Sequence, residues 1–344
     1  MGKETLYNKK SKLELKKKLK DEKFTRQTIS FYKYLSLKNL DKLRDEIYKS
    51  WNSLNILGRV YVAKEGINAQ ISIPYNNINS FKEELSSRFN FGDLIFKLAI
   101  QEGTSFYKLV VKIKNEIVAY NLSEKEYNMK NVGKHLDYKE FNRSIDDGAI
   151  VLDMRNYYEG EIGKFENAII PDVERSKELL PEVKKLLDKH KNDKILLYCT
   201  GGIRCEKASS YLIHHGFSDV NQLNGGIIQY ANDIKENSVK SKFIGKNFVF
   251  DDRMSEFVTE DVIGKCHICL ESSDSHTNCA NEYCHILFIQ CDNCREKFQN
   301  CCSKHCSKFI SLPKEKRTEM FKNGDIKFNA QKSQKIKPRL KDIC

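Results

Sequence analysis

No stretch of the chain approaches the roughly 20 consecutive apolar residues that a membrane-spanning helix requires. The N-terminus, Met1-Gly2-Lys3-Glu4, runs into lysines without an apolar core, so no secretory leader is expected and the cytoplasm is the expected compartment. Cysteine is absent from the first 198 residues. Of the twelve cysteines, nine lie between Cys266 and Cys306, two flank a glycine loop (Cys199 and Cys205), and Cys344 is terminal. Clustering of this kind, without an export signal, points to metal binding or thiol chemistry rather than to a disulfide framework. Internal repeats are also lacking.

Charge of one sign is missing from most of the chain. Of the 344 residues 40% are hydrophobic and 31% charged, which suits a soluble globular protein of two or three domains. The net charge is +12, yet residues 31–310 carry 39 charges of each sign. The excess sits at the ends: residues 1–30 and residues 311–344 each hold ten Lys/Arg against four Asp/Glu. A uniformly basic protein that coats nucleic acid is excluded. Two basic arms, about 1–27 and 311–344, on a balanced body remain.

The lysine-rich segment 8–24 reads as a solvated tail or a frayed helix. From Thr28 the pattern predicts a strand with Ile29 and Phe31 on one face and Tyr32 and Tyr34 on the other. Leu40, Leu43, Ile47 and Trp51 follow helical spacing. Arg59–Ala63 and Ile67–Ile73 read as strands, Phe81 and Leu85 mark a second helix, and Leu94–Ile100 and Phe106–Ile113 read as further strands. This β-α-β-β-α-β order predicts a ferredoxin-like α+β domain over 28–122, with room for an added strand. Alternating short strands (Ala149–Leu152, Ala168–Ile170, Lys194–Tyr198, Val220–Leu223) and helices predict an α/β domain with a parallel sheet over 135–237. A connector, Phe243–Phe250, then leads to the cysteine-rich module, 243–310 in all.

Lys194-Ile-Leu-Leu-Tyr-Cys-Thr-Gly-Gly-Ile-Arg-Cys205 carries the most chemistry. An apolar strand ends at Cys199, two glycines permit a tight loop, and a helix starts near Cys205. A thiol there faces loop N–H groups and the positive end of the helix dipole, which favours thiolate. Arg204 adds a positive charge able to stabilise that thiolate or hold an anionic ligand. Cys199-Thr-Gly-Gly-Ile-Arg204 resembles the active-site loop of rhodanese domains, whose first cysteine carries a persulfide. Asp153-Met-Arg155 and Gly163-Lys-Phe-Glu-Asn-Ala168 match further segments of that family. Related phosphatases separate Cys and Arg by one more residue, so phosphatase chemistry is disfavoured. Cys205 stands either as a resolving thiol or as an occupant of the helix's first turn, and Asp153 with Arg155 as a structural pair.

Cys266-His-Ile-Cys269, Cys279 with Cys284, Cys291-Asp-Asn-Cys294 and Cys302 with Cys306 supply eight thiolates, enough for two tetrahedral zinc sites. An alternating arrangement joins Cys266/Cys269 to Cys291/Cys294 and Cys279/Cys284 to Cys302/Cys306; sequential pairing is the other option. Cys301 is an alternative to Cys302, and His276, His285 and His305 are alternative ligands. All-thiolate sites are closed and therefore structural.

Thr28-Ile-Ser-Phe-Tyr-Lys-Tyr34 and Gly58-Arg-Val-Tyr-Val-Ala-Lys-Glu-Gly-Ile-Asn-Ala-Gln-Ile-Ser72 add Arg59, Lys64, Glu65 and Asn68 as candidate substrate-binding residues, against the plainer reading of a hairpin with solvated charges. With the loop, the connector and the Ser275-His-Thr-Asn-Cys279 run, these segments resemble, in order, the rhodanese-domain type of the bacterial tRNA uridine(34) hydroxylase family. The likeness covers about residues 25–310; the basic arms are not part of it. It implies oxygen-dependent 5-hydroxylation of the wobble uridine in tRNA by a rhodanese domain that carries the reactive cysteine, here Cys199; Arg204 and Cys205 are read beside it as candidate catalytic residues, and tRNA is expected to bind through its anticodon arm. It also implies an acylphosphatase-like or ferredoxin-like first domain. The electron donor is not implied, and no iron triad or flavin signature is present. Rival readings are a rhodanese-type sulfurtransferase and a non-catalytic zinc-containing RNA-binding scaffold.

Overall fold

The computed structural model describes residues 6–89, 91–123, 125–173, 176–324 and 326. Cys344, the far end of the C-terminal basic tail and the first five residues of the N-terminal arm therefore lie outside the described residues. Within that arm, helix α1 (Lys12–Lys20) is closed at its start by reciprocal bonds between Ser11 and Glu14 but buries no residue. Its lysines face outward onto the body: Lys12 and Lys16 both lie 5.6 Å from the Tyr107 ring centre.

The first domain is built from β1 (Arg26–Tyr34), α2 (Leu40–Ser53), β2 (Leu57–Ala63), β3 (Gly66–Pro74), α3 (Ile78–Ser87), β4 (Lys97–Leu98) and β5 (Leu109–Ile113). The sheet order is β4-β1-β3-β2-β5, with β5 parallel to β2 and the other pairs antiparallel. This is the expected α+β order with an added edge strand. Alternation decides what each face does. Ile29, Phe31, Val60, Val62, Ala69 and Ile71 point into a core closed by Ile47, Trp51, Phe81 and Leu85 of the two helices. Trp51 packs edge-on against Phe81 with ring centres 5.2 Å apart. The residues in between, among them Tyr32, Arg59, Asn68 and Gln70, form the opposite face, which lines a cavity against the second domain.

After β5 the chain crosses over, and Val118 and Tyr120 pack in the second domain's core. That domain holds β6 (Lys134–Leu136), α4 (Tyr138–Asp146), β7 (Ile150–Asp153), α5 (Tyr157–Gly160), β8 (Gly163–Phe165), α6 (Ser176–Leu186), β9 (Lys194–Tyr198), α7 (Ile203–His214), β10 (Asp219–Leu223) and α8 (Gly226–Glu236). Strands β6, β10, β9 and β7 form a parallel sheet in that order. Ala168–Ile170, expected as a strand, makes only a single bridge, Ile169 to Leu152. Asn167 adopts a left-handed conformation on one side and Pro171 lacks an N–H on the other, so pairing cannot extend. The sequence pattern also missed β6, α5 and β8, each too short to show a period.

The expected connector is itself structural. Strand β11 (Phe243–Phe248) pairs with β8 of the second domain and with β12 (Ser255–Phe257). The cysteine-rich module follows: a hairpin of β13 (His276–Asn278) and β14 (Leu287–Ile289), then α9 (Asp292–Lys297), α10 (Lys304–Ile310) and α11 (Lys314–Asn323). Phe288 of β14 is buried within the module. Among the described residues no helix is long and apolar enough to cross a membrane.

Candidate active site and cysteine groups

Strand β9 delivers Cys199 fully buried at its C-terminal end, and the loop Thr200–Gly202 turns over the thiol into α7. Gly202 has φ +90°, which a side chain would strain, and its N–H donates to Cys199 Sγ at 3.1 Å. Gly226 closes the other side: a Cβ there would lie 2.6 Å from the Cys199 carbonyl oxygen. Burial alone would push the Cys199 thiol up. It is outweighed by the Cys205 thiol, the Arg204 charge and the N–H groups of Cys205 and Arg204, which bring the pKa down to about 6. Cys205 is driven the opposite way, first by burial and then by the neighbouring Cys199, and stays protonated.

Arg204 is not aimed into open space. Its guanidinium forks onto Glu159 of α5 at 2.6 and 2.9 Å, and also donates to Thr200 Oγ1 at 3.0 Å. Glu159 is fully buried. Its partner charge therefore anchors the loop, and the pair is neutral as a unit. Asp153 and Arg155 form a second buried fork, at 2.9 and 2.7 Å, braced by the Tyr198 hydroxyl at 2.8 Å and the Gly163 carbonyl at 2.6 Å. That pair holds β7, β8 and β9 together.

The loop opens onto a cavity of about 430 Å³ between the domains, walled by Thr200, Gly201 and Arg204 below and by Tyr32, Arg59 and Asn68 of the first sheet above. Segment 249–256 closes one side, with the Phe250 carbonyl accepting from Arg59 at 3.3 Å. Two of the four N-terminal candidates, Arg59 and Asn68, thus face the cavity. Glu65 does not: it accepts from Lys207 at 2.9 Å, Tyr127 at 3.2 Å and the Ile117 N–H at 2.8 Å. With Glu116 it neutralises Lys207, a buried cation of α7, and so joins the two domains. Lys64 is exposed at the hairpin turn. Two residues without a role in the sequence reading stand at the centre of the site, Glu159 and Lys97.

The clustered cysteines form two sets, Cys266/Cys269/Cys291/Cys294 and Cys279/Cys284/Cys302/Cys306, each with its four sulfurs within 4.8 Å of one another. This is the alternating arrangement, and neither Cys301 nor a histidine enters a set among the described residues. Three sulfur–sulfur distances, Cys269–Cys291 at 3.5 Å and Cys284–Cys302 and Cys302–Cys306 at 3.7 Å, approach the roughly 3.8 Å edge of a tetrahedron around a metal with ~2.3 Å bonds. Asn281 Nδ2 donates to Cys306 Sγ at 3.4 Å, supporting a thiolate ligand. Both sets are therefore able to bind a metal ion.

Comparison with known proteins follows the same divisions. Residues 26–117 match a UPF0176 acylphosphatase like domain, residues 137–233 a rhodanese-like domain, and residues 244–307 a rhodanese C-terminal model. A tRNA uridine(34) hydroxylase of Leptospira interrogans is 49% identical over 344 residues, covering 99% of this chain and 94% of that one. The chain belongs to the tRNA uridine(34) hydroxylase family. Relatives of the same name from Enterobacter and Escherichia fergusonii are 45% and 44% identical over 331 residues, each spanning 94% of this chain, and 95% and 94% of their own lengths. Family membership thus extends across all three folded units, and beyond the rhodanese loop that the sequence shows most clearly.

Proposed function

We propose that this protein hydroxylates the 5-carbon of uridine 34 in tRNA, with Cys199 as the reactive thiolate and dioxygen as co-substrate. The observation that carries the reading is the thiolate-favouring loop opening onto an inter-domain cavity, in a chain whose full-length relatives bear that activity's name. A cavity of about 430 Å³ suits one nucleotide rather than a duplex. Position 34 lies in the anticodon loop, where a base can be turned out of its stack at small cost. Arg59 and Asn68 would then meet the nucleotide from the first domain, and the anticodon arm would rest outside.

Thiolate addition to the 6-carbon of a uracil makes the 5-carbon electron-rich, and this is the role assigned to Cys199. Exchange of the C5 hydrogen for hydroxyl with dioxygen takes up two electrons and two protons from an external reductant and releases water. Both four-cysteine sets hold zinc in this reading. Closed sets leave no position for substrate, so the metal stabilises a module with little core of its own.

Deletion of the gene, with rescue by the wild-type copy, tests the reading through mass spectrometry of tRNA nucleosides. Hydroxylation predicts loss and recovery of 5-hydroxyuridine derivatives with thiouridines unchanged. Loss of thiouridine with 5-hydroxyuridine intact would instead mean sulfur transfer.

A further inference from the structure

Arg204 cannot be the only counter-charge of Cys199, because its guanidinium is bound in a fork to Glu159. The charged groups around the thiol pair off in order. Glu159 takes Arg204. Glu206 of α7 takes His135 at 2.8 Å, with the Tyr32 hydroxyl at 3.1 Å and Gln222 at 3.2 Å. The Cys199 thiolate is left, and so is Lys97.

Lys97 sits on β4, opposite Ser30 of β1, and points to the cavity side of the first domain's sheet. Only 4% of it is exposed, and among the described residues no carboxylate stands within ion-pair distance of it, Glu206 acting on it from farther away. Its Nζ lies over the Tyr32 ring, 4.3 Å from the centre. The same Tyr32 covers the loop, its hydroxyl 3.0 Å from where a Cβ on Gly202 would stand. The Lys97 stem passes Gly225, its Cε 3.6 Å from that glycine's Cβ position, and the neighbouring Gly226 abuts Cys199 and Gly202. A buried ammonium without a carboxylate is costly unless another anion faces it.

We propose that Lys97, supplied by the N-terminal domain, is the counter-cation of the Cys199 thiolate, so that docking of the two domains completes the reactive thiol. Lys97 is a positioning residue in this scheme: it acts through Cys199 by holding the anion. Burial lowers Lys97 to about 8, and the opposing pulls that keep it protonated come from Cys199 and then Glu206. Groups facing the pair from every packed element are Tyr32, Tyr120, Glu159, Arg204, Cys205 and Glu206, with His135 reached through Glu206.

The inference rests on Cys199 as the reactive thiol but not on hydroxylation, and its test reads the thiol directly. Full-length wild type, Lys97→Met and Lys97→Arg are treated with iodoacetamide across a pH series. Labelling is quantified on the tryptic peptide Ile195–Arg204, in which Cys199 is the sole cysteine. Lys97→Met, which keeps the stem but not the charge, should move the labelling midpoint upward by about one pH unit, while Lys97→Arg stays near wild type. A midpoint unmoved in Lys97→Met overturns the proposal, as does an equal shift in both variants, which would report shape rather than charge. Should the buried thiol resist the reagent, thiolate ultraviolet absorbance taken as the difference from Cys199→Ser gives the same midpoint. Circular dichroism and metal content confirm that the variants are folded. A protein that makes no 5-hydroxyuridine yet shows the shift would refute the hydroxylase reading and leave Lys97's role standing.

Discussion

Glu159 is the residue whose removal separates the loop's architecture from its chemistry. Glu159→Gln keeps the shape but withdraws the charge that Arg204 is bound to on two sides. Breaking one member of a buried pair costs about 3–5 kcal/mol. The variant should therefore melt several degrees lower in a thermal scan, and 5-hydroxyuridine formation should fall with it. An unchanged melting temperature would mean that the fork carries no weight. Nothing in sequence marked this pair, because Glu159 and Arg204 lie 45 residues apart and only the fold aligns them. Lys97 left a fainter trace, a lone cation amid Ile95, Phe96, Leu98 and Ala99. In a half-buried strand such an interruption marks either an edge or a pocket, and here the strand is both.

At the scale of elements, short segments carry more of the function than long ones. β4 has two paired residues where the sequence suggested seven, yet it places Lys97 opposite Ser30. Strand and helix types in the first domain were legible because Ile29, Phe31, Trp51 and Phe81 repeat with the periods of their elements. The three-residue β8 and four-residue α5 had no period to show, although α5 carries Glu159. The cysteine sets were legible for a different reason, since paired thiols at short spacing have few uses outside metal binding. Which pair joins which required the fold. His267, inside the first CxxC, donates from Nε2 to the Glu161 carboxylate at 3.0 Å, two residues beyond Glu159. The module is thereby tied to the element that anchors the loop. Elemental analysis of purified protein should find about two zinc ions per chain. Cys284→Ser together with Cys302→Ser should lower this to about one and destabilise the C-terminal module. Less than one zinc in the wild type would contradict the assignment.

The whole molecule divides its charge as it divides its labour. The balanced body holds the cavity, the loop and the Lys207 clamp between domains, whereas the excess of +12 lies in the terminal arms. The described part of the N-terminal arm rests Lys12 and Lys16 against Tyr107, on the first domain. Phosphate contacts from such arms raise affinity by counterion release without selecting sequence. Trimming residues 1–24 and 315–344 should weaken tRNA binding and flatten its salt dependence in a filter-binding titration, while the modified position stays at 34. Relocation of the modification would show that the arms choose the site.

The central claim is that hydroxylation of uridine 34 proceeds through the thiolate on the loop after β9. Its most direct measurement is mass spectrometry of the anticodon-loop fragment from a deletion strain carrying Cys199→Ala, beside the same strain carrying the wild-type copy. The wild-type copy should restore the hydroxylated fragment, whereas Cys199→Ala, expressed to the same level and with the same metal content, should not. Full hydroxylation in the Cys199→Ala strain would contradict it.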